Sequence, residues 1–284
     1  MEAIGDSLKQ LITTSATSSE QREPDPLTCM FCGTRLPYRP VKHPFEDRVS
    51  FYAGPYPCSC PKAREAERRH REELRQQAIE EQLKWETAEK MERINRLFKT
   101  SSLPTRFNDR TFESFDRNAH NEHAVRTAYE YANNFGIYQS EGLLFSGDVG
   151  TGKTHLAAAI AIHLLNNQTP VIFGTVTTLL GRLRQTYAKE SNETEREILD
   201  ALTSVNLLIL DDLGKEKSTP WVQQMLYEVI NTRYENKKSL VVTTNSGMKQ
   251  LEERMPDVGA AIVSRLLEMC QGVKLNGPDR RKTR

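Results

Sequence analysis

The chain has 284 residues, a formal net charge of +1, 37% apolar residues and 27% charged residues. That length allows one good core with a smaller module beside it, and a near-zero charge excludes any global electrostatic pull on nucleic acid, leaving a local patch as the only route to such a role. No stretch approaches the ~20 apolar residues of a membrane span, and Met1 to Glu20, rich in Ser and Thr, lacks the apolar core of a secretory signal. The expectation is a cytoplasmic protein whose five cysteines are reduced thiols or metal ligands rather than disulfides.

Residues 1–26 are polar and read as an arm or short helix. Residues 27–61 carry Cys29-x-x-Cys32, a spacer of 25 residues, then Cys58-x-Cys60. Four thiolates in two close pairs can hold one Zn²⁺ tetrahedrally, and a segment this small needs such a staple to fold. His43 lies between the pairs and could replace one cysteine; unliganded thiols are the other reading. Cys270 falls in an apolar helix end and reads as a packed small side chain. Residues 1–61 are therefore expected to form a small zinc-binding module.

Residues 62–102 follow as a charged linker. From Lys62 to Lys99 there is no Gly or Pro, and Leu74, Ile79, Leu83, Met91, Ile94 and Phe98 stand among alternating Arg and Glu without a sustained heptad. This predicts a helix, either a solvated connector or a partner-binding surface. Ser101-Ser-Leu-Pro104 ends it.

Residues 103–284 alternate short β-runs with helical patterns, the signature of an α/β domain. Strands are expected near Leu143–Ser146, Val171–Thr175, Leu207–Leu210, Leu240–Thr244 and Gly272–Leu275. Helices are expected at Thr154–Leu165, Leu179–Ala188, Glu193–Leu202, Trp221–Glu235 and Ala260–Met269. The strands are apolar without alternation, which suggests a parallel sheet covered on both faces.

Two motifs carry chemistry. Gly147-Asp148-Val149-Gly150-Thr151-Gly152-Lys153-Thr154 has Walker A spacing at a strand-to-helix junction. Its glycines let backbone N–H groups approach phosphate oxygens, Lys153 reaches the β- and γ-phosphates, and the Thr154 hydroxyl ligates Mg²⁺. Leu207-Leu-Ile-Leu-Asp211-Asp212 is a buried strand with an acidic end, expected beside the P-loop strand. Asp211 can hold Mg²⁺ there and Asp212 can polarise the attacking water. Asn245, ending another strand, could orient that water from the opposite side, and Arg265 follows an apolar helical run from which an arginine can act on a neighbouring subunit.

Walker A running on into His155-Leu-Ala, Asp211-Asp-Leu-Gly214, Thr244-Asn245 and Ser264-Arg265-Leu266 together resemble an AAA+ ATPase of the DnaC/DnaI helicase-loader and IstB group. Leu103-Pro-Thr-Arg-Phe107 and Thr111-Phe-Glu-Ser-Phe115 share the resemblance. It implies a P-loop AAA+ sheet with a short or absent helical lid, Asn245 as sensor 1, Arg265 as arginine finger, Thr111 to Phe115 near the adenine, and Arg281 as sensor 2, with Arg280 as the alternative. Asp212 departs from the usual Asp-Glu of the group. The cysteine module resembles the DnaI-like branch, in which that part engages the replicative helicase.

Cations beside aromatics hold single strands without sequence preference, and two segments have that mixture. One contains Arg182, Arg184, Tyr187 and Lys189; the other contains Lys215, Lys217, Thr219 and Trp221. The bland alternative is that Trp221 packs on the sheet and the cations are solvated. The reading from sequence is thus an ATPase using ATP, Mg²⁺ and Zn²⁺ that loads a replicative hexameric helicase. It would self-associate in the ATP state and bind single-stranded DNA through Tyr187, Lys215, Lys217, Thr219 and Trp221. An IstB-like ATPase assisting a transposase is the alternative.

Overall fold

The computed structural model describes residues 23–43, 45, 49–98, 103, 105–136, 142–187 and 194–280. The chain divides into two compact units, Met1–Gln82 and Leu83–Arg284.

In the first unit, β1 (Leu27–Thr28) and β2 (Arg35–Leu36) form one antiparallel pair, and β3 (Tyr38–Lys42) and β4 (Val49–Pro55) form another. Helix α1 (Pro61–Phe98) begins with proline, whose missing N–H costs nothing in a first helical turn. Its surface carries same-face pairs such as Arg71–Glu67 at 3.1 Å. The division between the units falls inside α1, whereas the sequence-derived division sets 62–102 apart as a linker.

In the second unit, the end of α1 buries Ile94, Leu97 and Phe98. A 3-10 turn (Thr105–Phe107) and α2 (Glu122–Asn133) lead into five strands: β5 (Gly142–Ser146), β6 (Val171–Thr175), β7 (Leu207–Leu213), β8 (Ser239–Thr244) and β9 (Cys270–Lys274). Between them lie α3 (Lys153–Asn166), α4 (Val176–Gln185), α5 (Glu195–Ser204), α6 (Pro220–Glu235), α7 (Met248–Arg254) and α8 (Gly259–Met269). The strands form one parallel sheet in the order β6-β7-β8-β5-β9.

The period-2 pleat splits each strand between two cores. Leu144, Ile172, Leu208, Leu210, Leu240 and Val242 face one core, together with α4, α5, α6 and α8. Leu143, Phe145, Val171, Phe173, Ile209, Val241 and Val273 face the other, with α2 and α3. Both faces are covered, which is why the strands read as unbroken apolar runs.

One expectation is corrected. The acidic strand β7 is not beside the P-loop strand: β8 lies between β5 and β7. The crossover through α3 carries the chain from β5 out to the edge strand β6, past two positions that β7 and then β8 fill. Helices α2 and α7 and the two N-terminal strand pairs were not among the predicted elements. After β9, no helical lid is present among the described residues.

Candidate nucleotide site and cysteine cluster

β5 hands over to α3 through residues 147–152. Gly147 has φ 139°, and a Cβ there would come within 2.0 Å of the Leu275 carbonyl oxygen. Gly152, at φ 107°, would set a Cβ 2.8 Å from the Phe115 ring. Both the left-handed backbone and the close approach exclude a side chain. Lys153 is buried and donates to the carbonyls of Gly147 (2.8 Å) and Asp148 (2.6 Å), while Thr151 Oγ1 donates to the same Asp148 carbonyl at 2.9 Å. Burial pulls the Lys153 ammonium below the usual lysine range, with Asp212 opposing. Val149 is exposed at the rim.

Thr154 Oγ1 donates to Asp211 Oδ1 at 2.8 Å, so the two residues expected to hold Mg²⁺ meet across the intervening strand. Thr243, on that strand, donates to the same oxygen at 2.7 Å and accepts the Asp212 amide at 2.9 Å. Burial raises the Asp211 carboxyl, and the hydrogen bonds from Thr243 and Thr154 oppose the shift. Hard oxygens already converging in this way fit a divalent cation of Mg²⁺ type. Asp212 has a left-handed φ of 57°, a conformation that Asp tolerates better than most residues. Its Oδ2 lies 2.8 Å from Lys215 Nζ.

Thr154, Asp212 and Lys215 line a cavity of about 540 Å³, within the range of small-ligand sites. One wall is built from Lys153, Thr154, Asp212, Lys215 and Asn245; the other from Phe107, Arg110, Ser114 and Phe115, with Arg280 closing the end. His155 ties the walls together. Its Nε2–H donates to the Thr111 carbonyl at 2.9 Å and meets Ser114 Oγ at 3.3 Å, and its ring lies edge-on to Phe115. Burial lowers its pKa, and the Thr111 hydrogen bond opposes the shift. Arg280 donates its amide to the Gly150 carbonyl at 3.2 Å, sits 4.7 Å from the Phe115 centroid and lies 3.8 Å from Asp116 Oδ2. Arg281 lies outside the described residues.

Arg265 is not among the residues lining this cavity. It is held on α8 against α6 by Asn231, Tyr227 and the Ala261 carbonyl. The residues expected at DNA separate. Tyr187 and Trp221 come together, with Trp221 Nε1 donating to Tyr187 Oη at 3.3 Å and the Arg184 guanidinium 4.6 Å over the indole. Lys215 instead lines the cavity. Lys217 is exposed, and Thr219 caps α6 by accepting the Val222 amide. Residues 188–193 lie outside the described set, so Lys189 is not placed.

In the first unit, the Sγ atoms of Cys29, Cys32, Cys58 and Cys60 all lie within 4.8 Å of one another. A tetrahedral zinc with ~2.3 Å Zn–S bonds sets sulfurs roughly 3.8 Å apart, so the set fits one Zn²⁺ after small adjustments. The tight turn between β1 and β2, with the Gly33 amide on the Cys29 carbonyl, presents the first pair. Cys60 opens α1, its sulfur accepting the Ala63 amide at 3.4 Å. Hydrogen bonds with Thr34 lower Cys32 to about 6. Cys58 gains from the backbone at Cys60, yet the Cys32 sulfur 3.4 Å away works against it and the balance lies up, at about 12. His43 is outside the four-sulfur cluster.

Set beside known proteins, residues 62–284 match the family model described as IstB-like ATP binding protein. The chain belongs to that family. This IstB-like protein is 29% identical over 165 residues to the replicative helicase loader DnaC of Buchnera aphidicola subsp. Baizongia pistaciae, covering 56% of this chain and 65% of the relative. It is 34% identical over 143 residues to an ATP-binding protein of insertion sequence IS232 from Bacillus thuringiensis subsp. berliner, covering 50% of this chain and 56% of the relative. The chain thus spans under two thirds of the length of each. The crystal structure of the DnaC helicase loader matches 61% of this chain and 100% of its own length, with a TM-score of 0.54 and 27% identity. The AAA+ fold of the DnaC/IstB group is therefore common to both. Among the described residues no helix is long and apolar enough to cross a membrane.

Sequence reasoning missed Thr243, Asn231 and Tyr227. Thr243 carried a usable signal, a hydroxyl residue two places from Asn245 at the end of a buried strand. The other two lie inside a helix whose face becomes readable only when α8 packs on it.

Proposed function

We propose that this IstB-like protein is a cytoplasmic ATPase that loads or remodels a replicative hexameric helicase on DNA. The observation that carries the reading is the union in one chain of an ATPase domain similar to a replicative helicase loader with a four-sulfur module ahead of it. The zinc-stapled residues 1–61 grip the helicase, and the ATPase domain engages single-stranded DNA with Tyr187, Trp221 and Lys217.

In the nucleotide cavity Lys153 leaves the loop carbonyls for the β- and γ-phosphates. Thr154 and Asp211 hold Mg²⁺, which when bound neutralises charge on the phosphate oxygens. Asp212 accepts the proton of the attacking water and Asn245, just past the neighbouring strand β8, orients that water. Arg281 takes the sensor 2 role, with Arg280, which lines the cavity, as the alternative. Arg265 serves a neighbouring subunit, so ATP favours self-association.

A second reading is an IstB-like ATPase assisting a transposase, favoured by the family match and by the IS232 relative. Size-exclusion chromatography of the full chain with purified replicative helicase, and separately with a purified insertion-sequence transposase, distinguishes them. Co-elution with the helicase supports the first reading, co-elution with the transposase alone replaces it with the second, and co-elution with neither overturns both.

A further inference from the structure

α6 holds the Arg265 guanidinium without neutralising it. Nε donates to Asn231 Oδ1 at 2.7 Å, Nη2 to Tyr227 Oη at 3.2 Å and Nη1 to the Ala261 carbonyl at 3.0 Å. Tyr227 and Tyr234 set their rings 5.0 and 5.6 Å from the guanidinium carbon. Every acceptor is a neutral oxygen. Among the described residues no carboxylate comes within ion-pair distance of Arg265. Of five guanidinium N–H groups, three are used and one remains on each Nη.

Carboxylates are at hand and are turned elsewhere. Glu268 stands three residues after Arg265 on α8, a spacing that normally forms an ion pair. Tyr234 Oη donates to Glu268 Oε1 at 2.8 Å instead. Glu235 is taken by Asn231 Nδ2 at 2.9 Å, which also fixes the amide with its oxygen toward Arg265. Tyr227, Asn231 and Tyr234 follow one another at helical spacing along one face of α6. Two of them place the guanidinium, and two of them keep acidic neighbours off it.

We propose that Tyr227, Asn231 and Tyr234 are positioning residues that present an uncompensated Arg265 to an anion outside its own chain, the terminal phosphate of a nucleotide bound by a second copy. This rests on the reading of Arg265 as acting in trans. It adds that the charge is kept available by diverting Glu268 and Glu235, so a substitution that releases or introduces a carboxylate should weaken the action of the arginine without removing it.

The test is steady-state ATPase activity of the full chain across protein concentrations, with nucleotide affinity measured in parallel. Arg265→Ala establishes the underlying reading: an arginine finger is worth ~10³–10⁵ in kcat, and an unchanged rate overturns the trans role itself. Tyr234→Phe frees Glu268 and is expected to lower kcat about fivefold, the scale of an exposed ion pair, with nucleotide Kd unchanged. Tyr234→Phe combined with Glu268→Gln should restore the rate. Asn231→Asp places a carboxylate on Nε and should lower kcat at least about tenfold, as expected for a charge-assisted hydrogen bond. If Arg265→Ala loses activity while Tyr234→Phe and Asn231→Asp keep it, the cradle is structural only and the proposal fails. Loss in Tyr234→Phe that Glu268→Gln does not rescue also overturns it.

Discussion

Thr243 on β8 donates its hydroxyl to Asp211 on β7 while receiving the Asp212 amide, so the strand that separates the two nucleotide motifs also sets both acidic residues. Thr243→Val keeps the shape and removes both bonds. A buried hydrogen bond contributes roughly 0.5–1.5 kcal/mol, so urea denaturation should show a loss of about 1–3 kcal/mol for the two. The Mg²⁺ concentration for half-maximal ATPase activity should rise, because Asp211 loses one of two hydroxyl donors. An unchanged Mg²⁺ dependence would separate Thr243 from the metal.

Binding and turnover should separate at two neighbouring positions. Lys153→Ala removes the charge that offsets phosphate repulsion and should abolish nucleotide binding by isothermal calorimetry. Asp212→Asn keeps the cavity wall and should leave Kd within about twofold while lowering kcat by the ~10²–10⁴ typical of a general base. Equal turnover by wild type and Asp212→Asn would move the base elsewhere.

Metal analysis of protein purified without added zinc should find about one equivalent, because a single four-coordinate site is offered. Serine at Cys29, Cys32, Cys58 or Cys60 should remove the metal, whereas His43→Ala should retain it. Chelation should unfold residues 27–60 and leave nucleotide binding in place, which circular dichroism and nucleotide titration report separately.

Trp221→Ala should weaken binding of labelled single-stranded DNA by the ~1–3 kcal/mol of a base–aromatic stack, with nucleotide affinity preserved. Tyr187→Ala should act in the same direction, since it also frees the Trp221 indole N–H. Lys215→Ala should affect hydrolysis more than DNA, following its place against Asp212. Equal DNA affinity in wild type and both aromatic variants would remove this surface from the DNA site.

Cys270 gives a pH dependence with a definite sign. Burial raises its thiol from about 9 to about 12. Between those values the unfolded chain gives up a proton that the folded chain keeps, so the folded state binds more protons and stability falls as pH rises. Wild type should therefore lose about 1–2 kcal/mol relative to Cys270→Ala on going from pH 8 to pH 10.5. Thermal melts of the two proteins at both pH values measure it, and parallel loss would show that Cys270 titrates alike in the folded and unfolded states. Zinc content should be identical.

The nucleotide motifs were legible because Walker A and the acidic strand end are local: glycine conformations and a loop-to-helix junction do not depend on distant residues. The covered parallel sheet was legible from unbroken apolar strands. Strand order was not, because nothing in Leu207–Asp211 says that Thr243 comes to rest beside it. Arg233 illustrates the same limit. It reads as an ordinary helix charge, yet it is fully buried and satisfies the carbonyls of Leu202, Val205 and Ser239, which close the end of α5 and the start of β8. Burial lowers its pKa to about 9. Such a residue is defined by acceptors that converge only when three elements dock.

Residues 275–280 brace the phosphate loop, with the Leu275 carbonyl against Gly147 and the Arg280 amide on the Gly150 carbonyl. β9, just before them, is also a direct neighbour of β5. During synthesis the loop therefore emerges from the ribosome long before the residues that shape it. A nascent chain stalled short of residue 270 lacks both the flanking strand and the brace. Acquisition of ATP affinity should thus wait until residues 270–280 have cleared the ribosome and the polypeptide has drawn that last stretch back onto the loop.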